Sequence, residues 1–371
     1  MTPRVSLVGP GLAATGGLAC QPTAGSEPAA GDRGPRTAVA FGQETILEVR
    51  NLGVEFRTQK SRLRVVDGVS FSIEKGRTVA LVGESGSGKS VTSLAIMGLL
   101  QQPPAVVSGE IRFRDATGRL WQFLELSEKE MRAFRGDRVS MIFQEPMTSL
   151  NPVHTVGEQI SEVLLIHRKM RRAERHRAAI RMLERVGIPE AERRAAAYPH
   201  ELSGGMRQRV MIGMALACEP SLLIADEPTT ALDVTIQAQI LNDLKSLQRE
   251  MGMAMLFVTH DLGVVSEVAH SVVVMYAGQV VESGPTVAIL KSPRHPYTRA
   301  LLASIPRANA DRQQPLTAIP GTVPDLAHAP TGCRFHPRCS QAVPGRCDVQ
   351  VPATESLEDG RTVRCLRWRE L

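Results

Sequence analysis

Gly83-Glu84-Ser85-Gly86-Ser87-Gly88-Lys89-Ser90 constrains this 371-residue chain more than any other stretch. Its spacing, G-x-x-x-x-G-K-[ST], is that of a phosphate-binding loop. Thr78-Val79-Ala80-Leu81-Val82 before it reads as a buried strand, and Val91 to Leu100 after it carries apolar residues at helical spacing. Strand, glycine-rich loop and helix together are the context that gives such a motif meaning. Glycines let backbone amides close around phosphate oxygens, and the helix N-terminus adds partial positive charge. In this frame residues 83–88 form the cradle, Lys89 neutralises β- and γ-phosphates, and the Ser90 hydroxyl ligates Mg²⁺.

Three further apolar runs end in polar residues. Val139-Ser140-Met141-Ile142-Phe143 is followed by Gln144, Ser221-Leu222-Leu223-Ile224-Ala225 by Asp226 and Glu227, and Met255-Leu256-Phe257-Val258-Thr259 by His260. Ligands of open α/β sheets bind at the carboxyl ends of the strands, so these tips are candidate site residues. Two carboxylates on a buried strand are costly unless they have partners or chemistry to perform. Asp226 suits Mg²⁺, which takes few carboxylates and keeps its waters. Glu227 is placed as the general base toward an attacking water. Gln144 would orient that water and touch Mg²⁺. Leu202-Ser203-Gly204-Gly205 opens a helix running to about Ala217, and again offers glycine amides and a helix N-terminus to an anion.

Elsewhere the pattern predicts strands over Ile46–Phe56, a strand pair over Val65–Ile73 with a turn at Asp67-Gly68, and two helices between Val156 and Val186. Phe56 either stacks on a nucleotide base or packs in the core. The basic run Arg168-Lys169-Met170-Arg171-Arg172 reads as a solvated helix face. Residues 1–42, rich in Ala, Gly, Pro and Thr, are expected to be a disordered tail. Leu18-Ala19-Cys20 is not expected to act as a lipoprotein signal, because glycines and Pro10 interrupt the apolar run and only Arg4 charges the n-region. No stretch has the roughly 18 consecutive apolar residues of a membrane span. The +6 net charge reads as a basic surface, and the 4% aromatic content argues against a base-stacking nucleic-acid interface.

Taken in order, the phosphate loop, Gln144, Leu202-Ser203-Gly204-Gly205, Leu223-Ile224-Ala225-Asp226-Glu227, Ala231-Leu232-Asp233 and His260 resemble the ATP-binding cassette family over roughly residues 45–290. The resemblance implies an α/β P-loop NTPase fold of the ABC type: a RecA-like ATP-binding core, an antiparallel β layer and a helical subdomain around residues 150–215. It implies ATP and Mg²⁺ as cofactors and ATP hydrolysis as the activity. Glu227, His260 and Gln144 would be catalytic, and Phe56, Ser203, Gly204, Gly205 and Asp233 would join the phosphate loop in binding nucleotide. Two cassettes would stand head to tail, each ATP lying between one phosphate loop and the other signature. Met206 stands where the family most often has Gln.

Gln144-Glu145-Pro146-Met147-Thr148-Ser149-Leu150-Asn151-Pro152, His295-Pro296-Tyr297-Thr298-Arg299-Ala300-Leu301-Leu302 and Gly332-Cys333-Arg334-Phe335-His336-Pro337-Arg338-Cys339 are similar to the dipeptide/oligopeptide importer ATPases. That narrower resemblance implies a second, homologous ATPase subunit, two transmembrane permeases and an extracytoplasmic peptide-binding protein as partners, with no nucleic acid. The place would be the cytoplasmic face of the membrane, through the permeases. Import of nickel or another small solute is the alternative cargo. A soluble cassette acting on nucleic acid or ribosomes is the rival class, and a redox or metal sensor a third reading. The chain then divides into a tail (1–42), a cassette (43–290) and a C-terminal extension (291–371).

Within the extension, Cys333, Cys339, Cys347 and Cys365 stand at spacings x₅, x₇ and x₁₇. Outside an oxidising compartment four such thiols point to a metal site rather than to disulfides. The lack of close C-x₂-C pairs, and the cysteine tails of the similar importer ATPases, favour a [4Fe–4S] cluster over tetrahedral zinc or unliganded thiols. Arg334, Arg338, Arg346 and Arg364 would offset the thiolate charge.

Overall fold

The computed structural model describes residues 41–57, 62–144, 149–229, 232–305 and 318–371. The tail expected over 1–42 therefore lies outside the described residues save for its last two positions. So do residues 145–148 and Ala231 of the motifs quoted above.

Among the described residues the strands form two sheets. The smaller is antiparallel, in the order β2-β1-β4-β5, and is built from β1 (Thr45–Arg57), β2 (Arg62–Glu74), β4 (Ala105–Arg114) and β5 (Leu120–Gln122). The expected turn at Asp67-Gly68 is instead a bulge within one continuous strand. Leu52 pairs with Val69 and Val54 with Val66, so Asp67 and Gly68 together oppose Gly53. Gly68 has φ +70°, which suits a bulge as well as a turn.

The larger sheet contains β3 (Thr78–Val82), β6 (Val139–Ile142), β7 (Leu222–Asp226), β8 (Ala254–Thr259), β9 (Ser271–Tyr276), β10 (Gln279–Pro285), β11 (Glu355–Ser356) and β12 (Thr362–Val363). Its order is β11-β12-β10-β9-β3-β8-β7-β6. From β9 to β6 every neighbouring pair is parallel. β3, β7 and β8 are buried along their whole lengths, which is why they read as unbroken apolar runs. The C-terminal segment joins the same sheet. Val363 and Thr362 of β12 pair with Glu282 and Ser283 of β10.

The loop after β3 leads into α1 (Lys89–Ile96), and α2 (Glu128–Phe134) lies beneath the antiparallel sheet, where Phe113, Phe123 and Phe134 pack with centroids 5.2–6.0 Å apart. The helical layer comprises α3 (Val156–Arg168), α4 (Arg172–Arg185), α5 (Ala191–Ala195) and α6 (Gly204–Leu216). Thr155 and Glu158 form a capping box that fixes the start of α3. Lys169, at φ +51°, ends α3, so the basic run forms the corner between α3 and α4. Ile160, Leu183, Val210 and Ile212 share one core with Leu223 and Phe257 of the parallel sheet. The helical layer is thus packed onto the strands whose tips carry the polar residues. Then follow α7 (Val234–Met251), α8 (Leu262–Val268), α9 (Thr286–Lys291) and α10 (Pro296–Ala303).

Candidate functional site

Parallel neighbours in the larger sheet place the ends of β3, β6, β7 and β8 on one edge. Gly83 begins the phosphate loop there, packed so closely that a Cβ would come within 2.2 Å of the Met275 carbonyl oxygen. Gly88, at φ +98°, turns the loop into α1. Lys89 is buried, with Nζ donating to the carbonyls of Gly83 (2.7 Å) and Glu84 (3.0 Å). Burial lowers the Lys89 pKa, against the raising pull of Glu227, Asp226 and Glu84. The lysine is therefore a desolvated cation parked on its own loop, beside two carboxylates.

Gln144, Glu227 and His260 meet, as their strand positions predict. Gln144 Nε2 donates to Glu227 Oε2 (3.1 Å), and His260 Nδ1 lies 3.0 Å from Glu227 Oε1. The Glu227 side chain is 13% exposed and that of His260 60%, so solvent reaches the carboxylate along the histidine. Glu227 has φ +47°, a left-handed conformation that costs a residue with a Cβ on the order of 1–3 kcal/mol. Its N–H donates to the Val258 carbonyl (3.0 Å), which ties the strained tip to β8.

Asp226 tests whether the site fits Mg²⁺. The side chain is buried, and Oδ1 has no hydrogen-bond partner among the described residues. Its pKa is raised by burial, lowered by a hydrogen bond from Ser90, raised by the Glu227 charge and lowered by Lys89, with a net upward shift. Ser87 Oγ is likewise buried and without a partner among the described residues. A hydroxyl on a carboxylate with one orphaned oxygen is a donor set that a hydrated Mg²⁺ completes, so the residues fit the ion. Phe56 is half-buried and packs against the core below the antiparallel sheet.

The signature opens α6 and faces outward. Ser203 and Gly204 are exposed, and Ser203 Oγ caps α6 by accepting from the Met206 N–H (3.3 Å). A Cβ on Gly205 would come within 2.9 Å of Ile236 Cγ2 on α7, so the signature abuts the start of the helix that follows exposed Asp233.

The iron–sulfur assignment does not hold. Cys333, Cys339, Cys347 and Cys365 do line one cavity, with Phe335 and Leu366, but its volume is about 20 Å³, room for little more than one water. Among the described residues no group of three or more His, Cys, Asp or Glu side chains is disposed to hold a metal ion, which removes the [4Fe–4S] cluster and the zinc alternative alike. Burial raises the Cys333 thiol to about 11 and pushes Cys339 and Cys365 upward too, favouring neutral thiols in an apolar pocket. The neighbouring arginines have other partners. Arg334 pairs with Asp67 (2.6 Å), Arg346 with Glu370 (2.8 Å) and Arg338 with Glu84 (2.7 Å), while Arg364 Nε donates to the Pro352 carbonyl (3.0 Å).

Two contacts of the phosphate loop were not legible in the motifs. Tyr297 and Arg338 both reach Glu84 from the C-terminal segment. Only the His-Pro-Tyr string and the arginine beside Cys339 marked those places, and neither announces its partner.

Comparison with known proteins agrees with this geometry. Residues 66–230 match the ABC transporter family, and residues 281–347 match the oligopeptide/dipeptide transporter C-terminal region. A putative peptide import ATP-binding protein of Brucella melitensis is 53% identical, covering 89% of this chain and 99% of the relative. The oligopeptide transport ATP-binding protein AppD of Bacillus subtilis is 51% identical, over 88% of this chain and 98% of the relative. The dipeptide transport ATP-binding protein DppD of Escherichia coli is 50% identical, over 86% and 96%. Among solved structures, the dimeric ATP-binding cassette MJ0796 in a post-hydrolysis state with ADP and Pi aligns with TM-score 0.58 and 28% identity, covering 65% of this chain and 99% of that one. This chain belongs to the ABC transporter family, as an ATP-binding subunit of its oligopeptide/dipeptide branch.

Proposed function

We propose that this chain hydrolyses ATP to energise the import of di- and oligopeptides. The convergence of Gln144 and His260 on Glu227, beside Lys89 and Asp226, carries the reading. Mg²⁺ held by Ser90, Asp226 and Gln144 would neutralise charge on the transferring phosphate. Lys89 exchanges its two loop carbonyls for phosphate oxygens. Glu227 takes a proton from the attacking water, and its two neighbours fix the direction in which that carboxylate points. The outward-facing signature supports a second cassette across the nucleotide, with Ser203, Gly204 and Gly205 serving the ATP on the partner's phosphate loop. The partner is a homologous ATPase subunit, so the pair is a heterodimer.

No helix among the described residues is long and apolar enough to cross a membrane. Its relatives are named as ATP-binding proteins of oligopeptide and dipeptide transport, which supports transmembrane permeases and a substrate-binding protein as its partners. We place this one at the cytoplasmic face, held by two permeases that a peptide-binding protein loads from outside. Gln144, exposed at the tip of β6, is the proposed link between the nucleotide and a permease helix. The division into a cassette over 43–290 and an extension over 291–371 belongs to the same proposal.

Glu227→Gln in the reconstituted transporter tests the assignment. It keeps ATP binding and lowers turnover and peptide uptake by roughly 10²–10⁴-fold, the usual worth of a positioned acid–base group. Turnover near that of the unmodified complex would overturn it.

A further inference from the structure

Glu84 is the second residue of the phosphate loop, yet its side chain turns to the C-terminal segment. Its carboxylate accepts from both Arg338 Nη1 (2.7 Å) and Arg338 Nη2 (2.9 Å), a bidentate pair. Arg338 is 5% exposed in its side chain, so little water competes. The guanidinium is itself fixed: Nε donates to the Pro320 carbonyl (2.8 Å), and Nη1 reaches the Tyr276 hydroxyl (3.4 Å). From the same side the Glu84 backbone N–H donates to Tyr297 Oη (2.9 Å). Tyr297 is fully buried and packs on Tyr276 and Phe335, with centroids 4.6 and 5.3 Å away. The far end of the loop is held as well. Gly278 N–H donates to the Ser87 carbonyl (3.0 Å), and Arg334 bonds the neighbouring Ala277 carbonyl (2.5 Å).

We propose that Arg338 and Tyr297 are positioning residues that set the affinity of the phosphate loop for ATP by holding Glu84. The coupling runs through one residue. Glu84 takes Arg338 on its carboxylate and Tyr297 on its N–H, and it supports Lys89 Nζ on its carbonyl. A shift of Glu84 therefore moves the place from which Lys89 leaves for the phosphates, and the backbone of the loop with it. Fixing backbone residues costs conformational entropy, and a loop with glycines at 83, 86 and 88 has much freedom to lose. Bonds made from outside the loop remove that cost before ATP arrives. The C-terminal region thereby acts on the nucleotide site itself, in addition to whatever it contributes to stability.

This inference deepens the ATPase reading and rests on it. The test uses the full chain with Mg²⁺ and ATP, reading Kd by calorimetry, and KM and kcat in the assembled transporter. Tyr297→Phe keeps the ring and its packing but removes the acceptor of the Glu84 N–H. Arg338→Lys keeps the charge and loses the fork. Each should raise Kd and KM roughly tenfold, within the usual span of site-to-site coupling, and leave kcat within about twofold. Glu84→Gln combined with Arg338→Lys should be no worse than the more damaging single change, since both break one pair. The melting temperature of Tyr297→Phe should stay near that of the unmodified chain, which separates positioning from stability. If Arg338→Lys does not fold, Tyr297→Phe decides alone. Unchanged Kd and KM in folded variants, or a fall in kcat with KM unmoved, would overturn the inference and leave the ATPase reading intact. Failure of the unmodified chain to bind ATP would overturn both.

Discussion

The two anion-facing loops of this chain use the same chemistry and differ in how far they are finished. Both combine glycine amides with a helix N-terminus. The phosphate loop is anchored: Ser85 and Gly86 at its crest are exposed, but Ser87, Gly88 and Lys89 are buried, Lys89 already has two carbonyl partners, and Glu84 and Ser87 are gripped from outside. The signature is open: Ser203 and Gly204 face solvent, and Ser203 only caps its own helix. One loop is organised before any nucleotide arrives, whereas the other offers a surface that the described residues of its own chain leave open. That asymmetry is what a site shared between two chains requires of each.

Lys89→Ala gives the largest effect that separates the two loops. It removes a buried cation whose bonds to phosphate are charge-assisted, each contributing about 1.5–3 kcal/mol. ATP binding to the isolated chain should weaken roughly 10–100-fold, read by calorimetry. An unchanged affinity would mean that the anchored loop is not the main phosphate holder.

Ser203→Ala ranks next and should act in the assembled complex. It costs a helix cap, typically about 1 kcal/mol, and a hydroxyl facing the partner's nucleotide. Turnover of the two-cassette complex should fall roughly tenfold, while ATP affinity of the isolated chain moves much less. An equal loss in both preparations would show that the signature serves its own chain's ATP, and the contrast between the loops would collapse.

What the sequence made legible was local. Thr78–Val82, Leu222–Asp226 and Ala254–Thr259 are buried along their lengths, so their apolar runs and polar tips could be read directly. Parallel pairing of those runs then brings Lys89, Asp226, Glu227 and His260 to one edge. The errors came where local chemistry has two outcomes or where partners are far apart. Asp67-Gly68 carries turn chemistry, but pairing with β1 on both sides turns it into a bulge. The cysteine spacing predicted a metal cluster, but the four thiols line a cavity too small for one, and among the described residues no group of side chains is disposed to hold a metal. Arg338 and Glu84 are 254 positions apart, and no periodicity or spacing rule links such a pair. It became visible only once β12 had paired with β10 and Tyr276, Tyr297 and Phe335 had packed together.

The smallest expected effect belongs to Met206, where the resemblance to the wider family leads one to expect Gln. Met206 is half-buried and packs at the margin of the core formed by the helical layer and the parallel sheet. Its polar contribution is its backbone N–H, which donates to Ser203 Oγ and would do so with any side chain except proline. Gln at this position keeps the length and flexibility of Met and places an amide where the site is already partly wet. Substitutions away from caps, cavities and buried charges usually stay within about 0.5 kcal/mol, and one at a core margin costs somewhat more. Met206→Gln should therefore leave ATP turnover of the complex within about twofold and lower the melting temperature only slightly. A larger fall in turnover with stability unchanged would mean that this side chain itself reads the partner's nucleotide. The open loop would then be more specialised than its exposure suggests.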